Sequence, residues 1–205
     1  MDTRRDTIRN AQKTTCEWLL EHPAYKAWSQ AEHADQANQA EDEYEDVNAI
    51  LWINGKPGAG KSTLMKFVHA HSKGQRRKDE IVISFFFNAR GVVLEKTTLG
   101  VYRALLCQLL NEATDLQTVL DDVTYNPAVG LSTARLQEIL SKAVSKLGSR
   151  HVRCFIDALD ECDEPQVRKM VDYFEELNEE YNGKFKIYAL QVAITQRSRF
   201  AMATV

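Results

Sequence analysis

Ala49-Ile50-Leu51-Trp52-Ile53-Asn54-Gly55-Lys56-Pro57-Gly58-Ala59-Gly60-Lys61-Ser62-Thr63 runs from an apolar segment straight into the pattern G-x-x-x-x-G-K-[ST], and this junction decides the fold. At average glycine usage the pattern alone would arise by chance in such a chain with odds on the order of one per cent. A strand before it and a helix after it, Leu64 to Val68, reduce those odds further. The arrangement predicts a phosphate-binding loop. Gly55, Gly58 and Gly60 let successive N–H groups turn inward around phosphate oxygens, with Lys56, Pro57 and Ala59 completing the turn. The helix that opens near Gly60 aims its dipole at the same anion. Lys61 is placed to bridge β- and γ-phosphates, Ser62 to ligate the Mg²⁺ that accompanies a nucleoside triphosphate, and Thr63 to donate to an α-phosphate oxygen.

Working outward, strand and helix patterns alternate. Ile81 to Phe87 is an almost continuous β-branched and aromatic run, as a strand covered on both faces requires. Leu99, Tyr102, Leu105, Leu106, Leu109 and Leu110 recur at helical spacing, as do Leu136, Ile139, Leu140, Ala143, Val144 and Leu147. His151 to Ile156 is the next strand, Pro165 to Glu180 the next helix and Phe185 to Leu190 the last strand. The alternation predicts an α/β three-layer sandwich around a mostly parallel sheet, the architecture of a P-loop NTPase, with the phosphate site at the carboxyl ends of the strands. Before it, residues 1–46 read as a helical lead-in, about Thr7 to Gln30, and an acidic linker, Ala31 to Asp46. Residues 47–205 form the nucleotide-binding core.

The strand Cys154-Phe155-Ile156 ends in Asp157-Ala158-Leu159-Asp160-Glu161. A carboxylate at the end of a buried strand is costly unless something pairs with it, and Mg²⁺ explains Asp157. Asp157 would hold the ion opposite Ser62, while Asp160 and Glu161 orient or polarise a water that attacks the γ-phosphate. Ala158 leaves room for nucleotide and metal. Asp163 and Glu164 are explained by capping of the following helix.

Composition bounds the rest. With 205 residues, 44% hydrophobic, the chain can bury one substantial core. A net charge of −3 and a pI near 6.0 argue against nucleic acid and membrane surfaces as partners. Cys16, Cys107, Cys154 and Cys162 show no C-x-x-C spacing, which fits free thiols in a reducing compartment, and Cys107 and Cys154 lie in apolar runs that predict burial. No apolar leader or membrane-spanning run appears, so the expected setting is cytoplasmic. His69 and His71 stand two apart on the loop helix, which excludes a helical metal pair and suggests helix C-terminal or surface positions. Trp52 reads as a core residue, and Trp18, Tyr25 and Trp28 as residues that pack the helical lead-in.

The loop, the strand and the Asp157-Ala158-Leu159-Asp160-Glu161 segment resemble the NACHT domain of signal-transducing NTPases with numerous domains. Trp18-Leu19-Leu20, His22-Pro23-Ala24-Tyr25, Phe85-Phe86-Phe87-Asn88-Ala89-Arg90-Gly91 and Leu99-Gly100-Val101-Tyr102-Arg103 are similar to fungal members that act in heterokaryon incompatibility. The likeness spans roughly Cys16 to Ile187. It implies a nucleotide-operated switch that uses Mg²⁺ and ATP or GTP, and that associates with itself or with other NACHT proteins. The absence of an Asn-Lys-x-Asp guanine-reading motif tilts the base preference towards adenine.

The chain departs from that family in one place. A sensor arginine in a Ser-Ser-Arg context is expected after the strand that ends at Leu190, whereas this sequence offers only Arg197 and Arg199 on what reads as a frayed end. Such an end suits a splice variant or a gene-model error, and the modules that follow the core in the family have no counterpart here. Losing a γ-phosphate sensor harms transition-state stabilisation more than ground-state binding, so slow hydrolysis is expected. The alternative is a truncated, non-hydrolysing adaptor or decoy for full-length receptors.

Overall fold

Five strands emerge from the apolar runs in the computed structural model, which describes residues 3–12, 14–30, 50–56, 58–124, 126, 130–191 and 201–204. They are β1 Ile50–Asn54, β2 Glu80–Phe86, β3 His151–Asp157, β4 Phe185–Gln191 and β5 Ala201–Thr204. Their order is β2-β3-β4-β1-β5, and every neighbouring pair is parallel. The helices are α1 Thr3–Thr7, α2 Trp18–Glu21, α3 Pro23–Gln30, α4 Lys61–Gln75, α5 Thr98–Glu112, α6 Thr133–Ser145 and α7 Glu164–Glu180. Together they form the three-layer α/β sandwich expected from the sequence. The acidic run at 31–46, Pro57, Arg197 and Arg199 lie outside the described residues.

Handedness decides which face each helix covers. The connection from β1 to β2 crosses the sheet in one direction, and those from β2 to β3 and from β3 to β4 step back in the other. Right-handed crossovers therefore place α4 on one face and α5, α6 and α7 on the other. The strands divide their side chains to match. Ile50, Trp52, Ile81, Ile83, Phe85, Val152, Cys154, Ile156, Phe185 and Ile187 pack against α5, α6 and α7. Leu51, Ile53, Val82, Phe86, Phe155 and Tyr188 face α4 and the lead-in.

Five strands span about 19 Å, and one helix covers about 10–12 Å of it. The lead-in fills the remainder. Leu19 of α2 and Tyr25 and Trp28 of α3 are buried in the same cluster as Leu64, Met65 and Val68 of α4. Trp28 meets Tyr188 at 5.5 Å and Phe155 at 6.3 Å between ring centroids, and Tyr25 meets Tyr188 at 6.1 Å. The Arg153 guanidinium lies 5.8 Å from the Trp28 ring and pairs with Glu80.

Three positions differ from the sequence reading. Trp18, expected to pack the lead-in, is 39% exposed, because Leu19 takes the inward-facing position of α2. His69 is 5% exposed, with its ring edge-on to Phe155 and Phe86, because α4 presses it against the sheet. Cys107 is exposed, since its position on α5 faces away from the core, while Cys154 is buried as expected. The end of the chain differs as well. Residues 201–204, taken as part of a frayed end, add β5 beside β1. Helix starts follow local chemistry: Ser132 accepts from the Arg135 N–H and Asp163 from the Gln166 N–H.

Two glycines test the packing in opposite directions. A methyl group at Gly100 would lie 1.6 Å from the Leu94 carbonyl oxygen, so the start of α5 fits only glycine against the turn at Val93–Glu95. At Gly74, in the last turn of α4, it would meet nothing within 4 Å. Gly100→Ala is expected to destabilise the fold by about 2 kcal/mol or more, and Gly74→Ala to stabilise it by about 0.5 kcal/mol, in urea unfolding. Equal effects of the two would refute the close approach.

Candidate functional site

Because all strands run the same way, Asn54, Phe86 and Asp157 end at one edge of the sheet, with the loop after β1 above it. Gly58 and Gly60 adopt left-handed backbone angles, φ 79° and 82°, that side-chain-bearing residues rarely take. Space is not the reason, since a methyl group at either would meet nothing within 4 Å. Gly60 is the N-cap of α4 and supplies no side-chain cap. The first α-helical bond runs from Leu64 N–H to the Gly60 carbonyl, 2.9 Å, so the N–H groups of Lys61, Ser62 and Thr63 precede the helical ladder. Gly58, Ala59 and Gly60 are exposed, and the nest opens to solvent.

Lys61 is 8% exposed, and its ammonium donates to the Gly55 and Lys56 carbonyls, both at 2.9 Å. It thus braces the loop from within. Ser62 and Thr63 are half-buried one turn above the sheet.

Asp157 is the least satisfied polar group of this edge. Its exposure is 0%, and neither carboxylate oxygen has a hydrogen-bond partner. Burial raises its pKa from the ordinary 3.8 to about 6. The Ser62 hydroxyl, the Arg4 charge and the Ala158 N–H lie close enough to offset part of that rise, though hydroxyl and N–H fall short of hydrogen-bond geometry, and Glu161 adds to it. A divalent cation fits this environment: a hydroxyl and a carboxylate face each other across a gap, with backbone donors for phosphate beside them. No group of three or more His, Cys, Asp and Glu is gathered for a metal among the described residues. An ion here would draw its remaining oxygens from water and phosphate, as Mg²⁺ does.

Immediately after Asp157 the chain turns sharply. Ala158 sits at φ 59°, ψ 47°, left-handed for a residue with a Cβ, and opens the short turn Leu159–Glu161. The turn separates the two acids that sequence placed together. Asp160 is exposed, whereas Glu161 folds back to accept from the Ala89 N–H at 2.5 Å and to meet the Arg4 guanidinium at 3.6 Å. Ala89 belongs to the loop after β2, which Glu95 organises by accepting from Asn88 Nδ2 and the Val92 N–H. Sequence reasoning missed Arg4, the Ala89 N–H and the turn at Ala158. Nothing local marks Arg4, because its partner lies far along the chain.

The family model described as Nephrocystin 3, N-terminal, matches residues 14–190. No curated protein matches the chain. Solved structures similar to it include PCH-2 from C. elegans, at 11% identity and a TM-score of 0.48, over 97% of this chain and 45% of that one. Cdc6p from Pyrobaculum aerophilum is matched at 11% identity and a TM-score of 0.46, over 95% of this chain and 43% of that one. This chain spans less than half the length of either. Among the described residues no helix is long and apolar enough to cross a membrane.

The raised Asp157 pKa has a testable sign. The folded state holds the proton more tightly than the unfolded chain, so this carboxyl favours folding below pH 3.8 and loses that advantage as pH rises through about 6. Asp157→Asn keeps the shape without the charge. In metal-free buffer it is expected to be more stable than the parent by about 3 kcal/mol near pH 7.5 and close to it near pH 4, by denaturant unfolding. A pH-independent difference would overturn the assignment.

Proposed function

This chain belongs to the Nephrocystin 3, N-terminal, family, and from the loop and acid at its sheet edge we propose that it binds a nucleoside triphosphate, ATP or GTP, with Mg²⁺. The observation that carries the reading is the Asp157 carboxylate, buried with both oxygens unpartnered beside the Ser62 hydroxyl. In this assignment Gly55, Lys56, Gly58, Ala59 and Gly60 wrap the phosphates with backbone N–H groups while Pro57, which has none, shapes the turn, Lys61 faces the β- and γ-phosphates, and Thr63 meets the α-phosphate. Ser62 and Asp157 hold the metal, which when bound neutralises charge developing on the phosphate oxygens.

Hydrolysis, in the same reading, joins a water oxygen to the γ-phosphorus and breaks its bond to the bridging oxygen, giving the diphosphate and inorganic phosphate. Glu161 is the better placed of the two acids to orient that water, since it shares the surroundings of Asp157, while Asp160 is exposed. Turnover is slow in this proposal, because the sequence lacks the Ser-Ser-Arg sensor context. The likeness to NACHT receptors extends the reading to a signalling switch in the cytoplasm that associates with itself or with other NACHT proteins.

Equilibrium binding of a fluorescent ATP analogue with Mg²⁺ tests the core of this. The parent chain is expected to bind, Lys61→Ala to weaken binding at least about tenfold, and excess GTP to compete less well than ATP. No binding by the parent would overturn the nucleotide reading and leave the adaptor alternative standing.

A further inference from the structure

Among the described residues, Arg4 is the cation whose charge acts on Asp157, and it comes from α1, far from Asp157 in the sequence. Its guanidinium is 3.6 Å from the Glu161 carboxylate, longer than a hydrogen bond, and its Nε is buried without a partner. A planar fork of donors is thus held at an anionic corner with bonding capacity to spare. Lys61, the other cation assigned to the site, holds its ammonium on the Gly55 and Lys56 carbonyls. The segment carrying Arg4 lies across α4: Lys66 donates to the Ile8 carbonyl at 2.7 Å, and Ile8 and Ala11 rest on the core beneath.

We infer that Arg4 is a ligand of the terminal phosphate of the bound triphosphate, and that through it the docking of residues 3–12 reports whether that phosphate is present. The inference rests on the nucleotide reading above. Asp157 and Glu161 mark the side of the site where metal and terminal phosphate belong, and a guanidinium matches phosphate oxygens in a bidentate way that an ammonium does not. When the terminal phosphate is there, Arg4 gains an acceptor with full hydrogen-bond geometry. When only a diphosphate is bound, Arg4 keeps the longer contact to Glu161, and α1 is held less firmly.

The test uses the whole chain with Mg²⁺ and either a non-hydrolysable ATP analogue or ADP. Arg4→Ala is expected to weaken the triphosphate about tenfold and ADP less than about twofold, with Arg4→Lys between, while Arg5→Ala on the same helix changes neither. Hydrogen exchange on the unsubstituted chain is an independent readout, in which residues 3–12 are better protected with the triphosphate analogue than with ADP. Equal losses for both nucleotides, tighter triphosphate binding in Arg4→Ala, or equal protection in the two states would overturn the inference while the nucleotide reading stands. A parent chain that binds neither nucleotide would overturn both. If Arg4→Ala fails to fold, the exchange comparison decides alone.

Discussion

A parallel sheet buries both faces, and right-handed crossovers determine how many helices each face receives. Among the described residues the strand order sends three crossover helices to one side and one, α4, to the other. The lead-in is therefore part of the sandwich: Leu19, Tyr25 and Trp28, each contributing roughly 1.5–3 kcal/mol by burial, close the half of the face that α4 cannot reach. The same arrangement aims the loop. Leu64, Met65 and Val68 pin α4 to the sheet, and the end of the helix held by those contacts is the end that opens the nest at Gly60.

One corner of the sheet edge gathers several unsatisfied groups. A carboxylate without partners, a left-handed alanine costing on the order of 1 kcal/mol, and N–H groups outside the helical ladder lie within one corner. The turn at Ala158 explains why they coexist. It ends β3 abruptly enough to leave Asp157 inside and to bring Glu161 back onto the Ala89 N–H, so the loop after β2 and the turn after β3 support one another.

Much of this was legible in the sequence because it is written locally. The loop, the strand before it, the acid at the end of β3 and the helical spacing of α5, α6 and α7 are patterns within a few residues of themselves. What escaped depends on distant partners. His69 looked like a surface residue because helical position alone does not say that Phe86 and Phe155 stand opposite. The chain end looked frayed because the pairing of Ala201–Thr204 is set by the vacant side of β1, not by its own residues. Arg4 carries no signal at all until α1 is laid across α4.

One side chain on α5 has a consequence for assembly. Gln108 accepts from the Ser84 N–H at 3.0 Å and donates to the Ser84 carbonyl at 2.8 Å, so its amide imitates a neighbouring strand on the outer side of β2. That margin cannot recruit a further strand at Ser84 without first expelling the glutamine. Growth of the sheet by strand addition is blocked at that residue, so the amide of one glutamine protects the middle of this edge.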